Sequence, residues 1–201
     1  MTKIVLLNGP GGVGKDAVAA HATTRTPNAA PVKFAGPLKK IAMHVFCDGN
    51  SQVFNDIDRD QKKKMEPLDI FFGKSCRQVQ IDISEIYLKK AYDESIFGTL
   101  LAKEIDKMAA HQNIETFFVS DSGFVPEAEV LAKEYGAHNV TLIRLHRKEC
   151  PVNEDGTFPN DSRSYINLDH LGVESHDVVN KTGELGATIE TILEILNPKK
   201  A

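Results

Sequence analysis

The sequence predicts an α/β fold, a doubly wound parallel sheet flanked by helices, and three observations carry that expectation. Short apolar runs recur at residues 4–8, 116–120, 140–145 and 176–179, each with the length and continuity of a strand buried on both faces. Segments with helical spacing of apolar residues separate them, and strands alternating with helices close into a parallel sheet through right-handed crossovers. The first run leads into Gly9-Pro10-Gly11-Gly12-Val13-Gly14-Lys15-Asp16 and then into Ala17-Val18-Ala19-Ala20-His21-Ala22, which reads as strand, glycine-rich loop and helix.

The remaining elements follow in order. Residues 37–46 place Leu38, Ile41, Ala42 and Val45 on one helical stripe. Residues 48–67 hold Asp56, Asp58, Arg59, Asp60, Gln61 and Lys62-Lys63-Lys64 with few apolar anchors, and read either as a mobile excursion beside a substrate helix or as a solvated helix face. Ile81, Ile86, Leu88, Ile96, Leu100, Leu101 and Ile105 fill a longer helical region over about 77–110. Within it Tyr87, Leu88 and Tyr92 either pack in the core or form a contact between two copies of the chain, so a homodimer stays open. Residues 126–135 begin with proline in the first turn and stop before Gly136, both boundary signals. Residues 146–172, rich in Pro, Asn, Asp, Gly and Ser, are too long for a plain connection and read as a lid, a binding loop or a disordered stretch. The last helix, about 184–196, carries Leu185, Ile189, Ile192, Leu193 and Leu196 on one stripe before Pro198. This outlines one domain: a core of about 1–35, 113–145 and 174–197, a helical region of about 36–112 and a lid of about 146–172.

Composition narrows the function. At 201 residues the chain can bury its own core, and 41% hydrophobic with 26% charged residues excludes wholesale disorder. A formal charge of −4 argues against stable nucleic-acid binding by phosphate neutralisation. Cys47, Cys76 and Cys150 are odd in number and widely spaced, which suggests neither a disulfide framework nor a zinc site and fits a reduced, cytoplasmic location. No apolar stretch reaches membrane-span length, and the start of the sequence lacks a signal-peptide pattern, so no membrane role is expected.

The spacing G-x-x-x-x-G-K lets the backbone approach a polyphosphate so that successive N–H groups form an anion nest, with Lys15 as a point charge for the outer phosphates. The bare spacing arises by chance in roughly one chain in twenty of this length, so the strand before it and the helix after it are what give it weight. Gly9, Gly11, Gly12, Val13, Gly14, Lys15, Asp16 and Ala17 are therefore the expected ATP contacts. Asp16 stands where such loops carry a hydroxyl that ligates magnesium; a carboxylate there binds the ion directly, binds it through water, or acts toward the acceptor. Asp121, after the strand at 116–120, would reach the C-terminal sheet edge and share the Mg2+, or serve as a turn aspartate. Arg144, Arg147, Lys148 and Arg163 gather around the irregular segment, where closure would bring cations to a moving phosphoryl group; singly, each also reads as a surface cation. Arg77, at a helix start, has a planar fork suited to an acceptor phosphate. In the loop at 179–183, Asn180 either touches the nucleotide base or belongs to a helix start capped by Thr182.

Several of these pieces, in this order, resemble the deoxynucleoside monophosphate kinases of bacteriophages, within the phosphate-loop nucleoside monophosphate kinase family. The matching stretches are Gly9 to Asp16 with its G-K-D ending, Phe34-Ala35-Gly36-Pro37-Leu38-Lys39, Arg77-Gln78, Ser120-Asp121 followed by Phe124 and Glu127-Ala128-Glu129, Arg144, and Asp177 to Gly183. The resemblance implies a P-loop kinase-like sheet with an acceptor-binding helical insertion and a lid. It implies transfer of the ATP γ-phosphoryl group, with Mg2+, to a deoxynucleoside or nucleoside 5′-monophosphate. It places Phe34 to Lys39 at the acceptor pocket, so that Phe34, Lys39, Arg77 and Asp121 bind substrate; Lys15, Asp16, Arg77, Asp121, Arg144, Arg147 and Arg163 act in catalysis; Asp16 and Asp121 manage the metal. The family tends to read Asp-x-Arg-Phe where this chain has Asp121-Ser122-Gly123-Phe124, which removes one expected phosphate contact. The alternatives are a P-loop kinase for another small acceptor of the dephospho-coenzyme A kind, and an ATP-binding switch without transfer.

Overall fold

The computed structural model describes residues 2–159 and 163–198. Its elements run β1 (Lys3–Asn8), α1 (Lys15–Arg25), β2 (Ala29–Val32), α2 (Ala35–Phe46), α3 (Ser51–Asp58), α4 (Gln61–Met65), β3 (Pro67–Leu68), β4 (Lys74–Ser75), α5 (Cys76–Ile81), α6 (Lys89–Ala91), α7 (Ile96–Gln112), β5 (Thr116–Ser122), α8 (Val125–Tyr135), β6 (Val140–His146), β7 (Glu174–Val179) and α9 (Leu185–Leu196). Two compact units result, residues 1–34 with 98–201 and residues 35–97.

The first unit holds the predicted doubly wound sheet, five strands in the order β2-β5-β1-β6-β7, every pairing parallel. Its apolar runs are continuous because both faces are covered. On one face Val5, Leu7, Phe118, Ile143, Leu145 and Val178 pack with Val18, Ala19 and Ala22 of α1 and Ile189 and Ile192 of α9. Strand alternation turns Ile4, Leu6, Phe117 and Leu142 to the other face, where α8 lies against β1 and β6. Gly98 lets α7 and α8 approach closely: a Cβ there would sit 2.5 Å from the Glu127 carbonyl oxygen. α7 from residue 98 onward belongs to this unit. β2 gives little sequence signal, since it has four residues and contains Pro31, which an edge strand tolerates. No helix among the described residues is long and apolar enough to cross a membrane.

One irregularity shapes the site. Between Leu6 paired with Val119 and Asn8 paired with Ser122, β5 carries one more residue than β1, a bulge that re-aims the backbone at Ser120 and Asp121.

In the second unit Ala42, Cys47, Phe54, Phe71, Cys76 and Val79 form a small core. Two expectations change here. Residues 48–67 are neither an excursion nor a plain solvated face. They form two short helices, with the Asn50 side chain accepting from the Gln52 and Val53 N–H groups and Asp60 from those of Lys62 and Lys63, while Phe54 is buried. The helical region expected over 77–110 is not continuous. α5 widens into a π-helical turn at Asp82–Leu88, α6 ends at Ala91, and Asp93 accepts from the Ser95 N–H at 2.6 Å before α7 begins. Apolar spacing continues through that break, so periodicity alone does not register it. Tyr87 and Tyr92 are exposed rather than core residues.

Candidate functional site

Every buried strand of a parallel sheet ends on the same edge, and there the loop between β1 and α1 turns back over the sheet. Gly14 has φ 99°, and a Cβ on it would lie 2.6 Å from Asn180 Nδ2, so only glycine fits. Gly11 differs: its φ is ordinary and a Cβ would meet nothing within 4 Å. The fold leaves that space open. Val13 is fully buried and anchors the loop. Lys15 Nζ donates to the carbonyls of Gly9 and Pro10, the latter at 2.8 Å, so its ammonium folds back onto the loop's own backbone. Ala17 is exposed on the first turn of α1.

Asp16 meets two neighbouring strands. Its Oδ1 accepts from Ser120 Oγ at 2.6 Å and pairs with Lys33 Nζ at 2.7 Å. Partial burial pushes the carboxyl up, but the bonds from Lys33 and Ser120 and the nearby Lys15 charge prevail and hold it below the usual carboxylate range. Magnesium takes oxygen ligands and is commonly held by one or two carboxylates with substrate phosphates and water, so Asp16 with the Ser120 hydroxyl beside it is a fitting donor pair. Among the described residues, no group of three or more His, Cys, Asp or Glu side chains gathers as a metal cage. Asp121 Oδ1 accepts the Phe34 N–H at 2.8 Å, which ties the chain after β2 to the bulge in β5; the Phe34 ring is buried.

Asn180 is drawn into the scaffold rather than left facing a base. Its Nδ2 donates to the Val13 carbonyl at 2.7 Å, its Oδ1 accepts from Thr188 at 3.0 Å, and the residue is buried. A buried amide must satisfy its hydrogen bonds, and here it does so by holding the loop. Thr182 is not the cap of α9, whose N-terminal residue Glu184 makes no side-chain cap bond. Arg147 lies on the loop already: Nε donates to the Asn180 carbonyl at 3.0 Å and Nη1 to that of Gly12 at 3.2 Å. Arg144 instead forks onto Asp177 at 3.0 and 3.1 Å, across the β6/β7 register that sets the two side by side. That guanidinium, opposed by partial burial and joined by a His146 bond at 2.6 Å, holds the Asp177 carboxyl below the usual range. The stem of Arg163 crosses Gly123, where a Cβ would overlap its Cβ, Cγ and Cδ. Gly123 is thus the room that the stem of Arg163 needs.

Residues 160–162 of the expected lid lie outside the described residues. The part that follows them is built into the sheet edge by Asn8, which sequence reading passes over. Asn8 Nδ2 donates to the carbonyls of Ser122 at 2.9 Å and Ser164 at 3.0 Å, and Oδ1 accepts the Ile166 N–H at 3.0 Å. Phe158, Ile166 and Leu168 are buried, and Tyr165 donates to the Leu145 carbonyl. Asn8→Ala is expected to cost about 2 kcal/mol by leaving a buried N–H and two carbonyls without partners, measured by urea denaturation against wild type. The signal available in the sequence is one polar residue closing an otherwise apolar strand, next to the first glycine. Lys33 and Ser120 escape sequence reading as well, because β2 itself is faint.

The second unit carries the other two expected residues. Arg77 is exposed in the first turn of α5, which Ser75 caps. Lys39 does not project alone: it pairs with Asp58 at 2.6 Å, which also binds Lys64 at 2.7 Å and Gln80 at 2.8 Å.

A doubly wound parallel sheet with a glycine-rich loop between its central strand and first helix defines the P-loop kinase-like α/β fold class. No family model matches the chain, and no curated protein does. Among solved structures it is similar to a sugar kinase from Janibacter sp. HTCC2649, over 99% of this chain and 96% of that one, at 14% identity and a TM-score of 0.48. It is also similar to dephospho-CoA kinase from Campylobacter jejuni, over 97% and 98%, at 12% identity and a TM-score of 0.45.

Proposed function

We propose that this chain is a phosphotransferase that moves the γ-phosphoryl group of ATP to a deoxynucleoside or nucleoside 5′-monophosphate. The observation that carries the reading is the loop itself: open space beside the Gly11 backbone, the Lys15 ammonium on the carbonyls of Gly9 and Pro10, and the Arg147 guanidinium on that of Gly12. Loop N–H groups and the first turn of α1 bind the donor phosphates. Lys15 and Arg147 then balance charge spreading over the equatorial oxygens, the main task of a protein in phosphoryl transfer. Magnesium, held by Asp16 and Ser120, supplies further neutralisation when bound. Arg163 and Arg144 are cations of the same face; Arg144 reaches a phosphate by exchanging Asp177 for it. Asp121 positions Phe34, and Arg77, with Lys39 beside Asp58, binds the acceptor phosphate. The acceptor class rests on the resemblance of Gly9 to Asp16 and Phe34 to Lys39 to the phage enzymes. ADP release from purified protein and Mg-ATP, coupled to a panel of ribo- and deoxyribonucleoside monophosphates with dephospho-coenzyme A as a non-nucleotide control, tests it. Release stimulated by at least one monophosphate is expected; stimulation by none would sink the proposal.

A further inference from the structure

The aspartate in the loop brings a full negative charge to a place built for polyphosphate, and the fold answers it. Lys33 stands one residue beyond β2, on the strand edge next to β5, and its ammonium meets Asp16 Oδ1 at 2.7 Å. Ser120 Oγ reaches the same oxygen at 2.6 Å from inside β5, where it is buried. The backbone next to Lys33 is clamped too, since the Phe34 N–H is bound by Asp121. Asp16 Oδ1 is therefore met both by a buried strand hydroxyl and by a cation whose neighbouring backbone is tethered.

We propose that Lys33 is a dedicated counter-ion for Asp16, so that a loop with aspartate in the hydroxyl's place presents no added negative charge to the nucleotide. One carboxylate and one ammonium sum to the neutrality of a serine or threonine. Lys33 acts here through Asp16, as a positioning and charge-balancing residue; the role requires no phosphate contact of its own. The assignment rests on the loop being a polyphosphate site.

Charge balance of this kind is visible in a double-mutant cycle. The measurement is calorimetric affinity for ADP without divalent metal, for wild type, Lys33→Met, Asp16→Ser, the double variant and Lys33→Arg, with thermal unfolding as a fold control. Lys33→Met leaves Asp16 unbalanced beside the phosphates and should weaken ADP binding on the order of tenfold. Asp16→Ser leaves the Lys33 charge uncompensated and should tighten ADP binding by a comparable factor, whereas the double variant and Lys33→Arg should stay within about twofold of wild type, because the net charge of the pair is unchanged. An unaltered Lys33→Met affinity overturns the proposal. So does a double variant that binds ADP as weakly as Lys33→Met, which makes Lys33 a phosphate ligand in its own right. A wild-type protein that binds no ADP would instead overturn the polyphosphate reading beneath it.

Discussion

Lys15→Ala is expected to lower acceptor-dependent turnover by about 10²- to 10³-fold while the protein stays folded. The two halves have separate causes. A preorganised cation aimed at developing phosphoryl charge is worth several kcal/mol in the transition state, whereas for the fold the same partly exposed ammonium bonds to the carbonyls of its own loop, Gly9 and Pro10. The loop keeps its shape without it, because Val13 is buried and its carbonyl is held by Asn180. Single-turnover rates and the thermal unfolding midpoint, measured on one preparation, separate the halves. Undiminished turnover would remove the loop from the chemistry altogether.

Asp58→Ala is the change with the largest expected effect on stability, about 3 kcal/mol, or roughly 6–12 °C in the midpoint of thermal unfolding. Asp58 is buried and satisfies Lys39, Lys64 and Gln80 at once, so truncating it leaves two partly buried ammonium groups facing each other. The network also sets a pH dependence. Burial pushes the carboxyl up, but the bonds from Lys39, Lys64 and Gln80 bring it down from an ordinary 3.8 to about 2. A carboxyl depressed by folding contributes stability that is present above the unfolded value and is lost as pH falls through the folded one. Urea denaturation should therefore show the full deficit of Asp58→Ala near neutral pH, shrinking from about pH 4 toward pH 2. A deficit that is constant across that range would mean the network carries no net charge interaction.

Asp58 also marks where sequence reading reaches its limit. Residues 48–67 look solvated because charges outnumber apolar side chains, yet Asn50 and Asp60 are cap residues and Asp58 is matched by Lys39 and Gln80 from distant positions. Those partners are 19 and 22 residues away, beyond the reach of any local pattern. The loop is the opposite case. Gly9 to Lys15, the strand before it and the helix after it are legible, since each depends on neighbours in the chain: apolar continuity, glycine spacing and helix propensity.

The same division runs through the site. Local sequence specified a parallel α/β sheet, a polyphosphate-shaped turn and an anomalous aspartate, because buried strands, tight turns and helices follow from residues within a few positions of one another. The fold alone supplied the answers to that aspartate and its surroundings: Lys33 from beyond β2, Ser120 from 104 positions away, and Arg163 over Gly123. It also buries the Asn180 amide against the Val13 carbonyl. Which charges meet depends on strand order and on one bulge in β5, and both arise from packing the sheet's faces rather than from any run of residues.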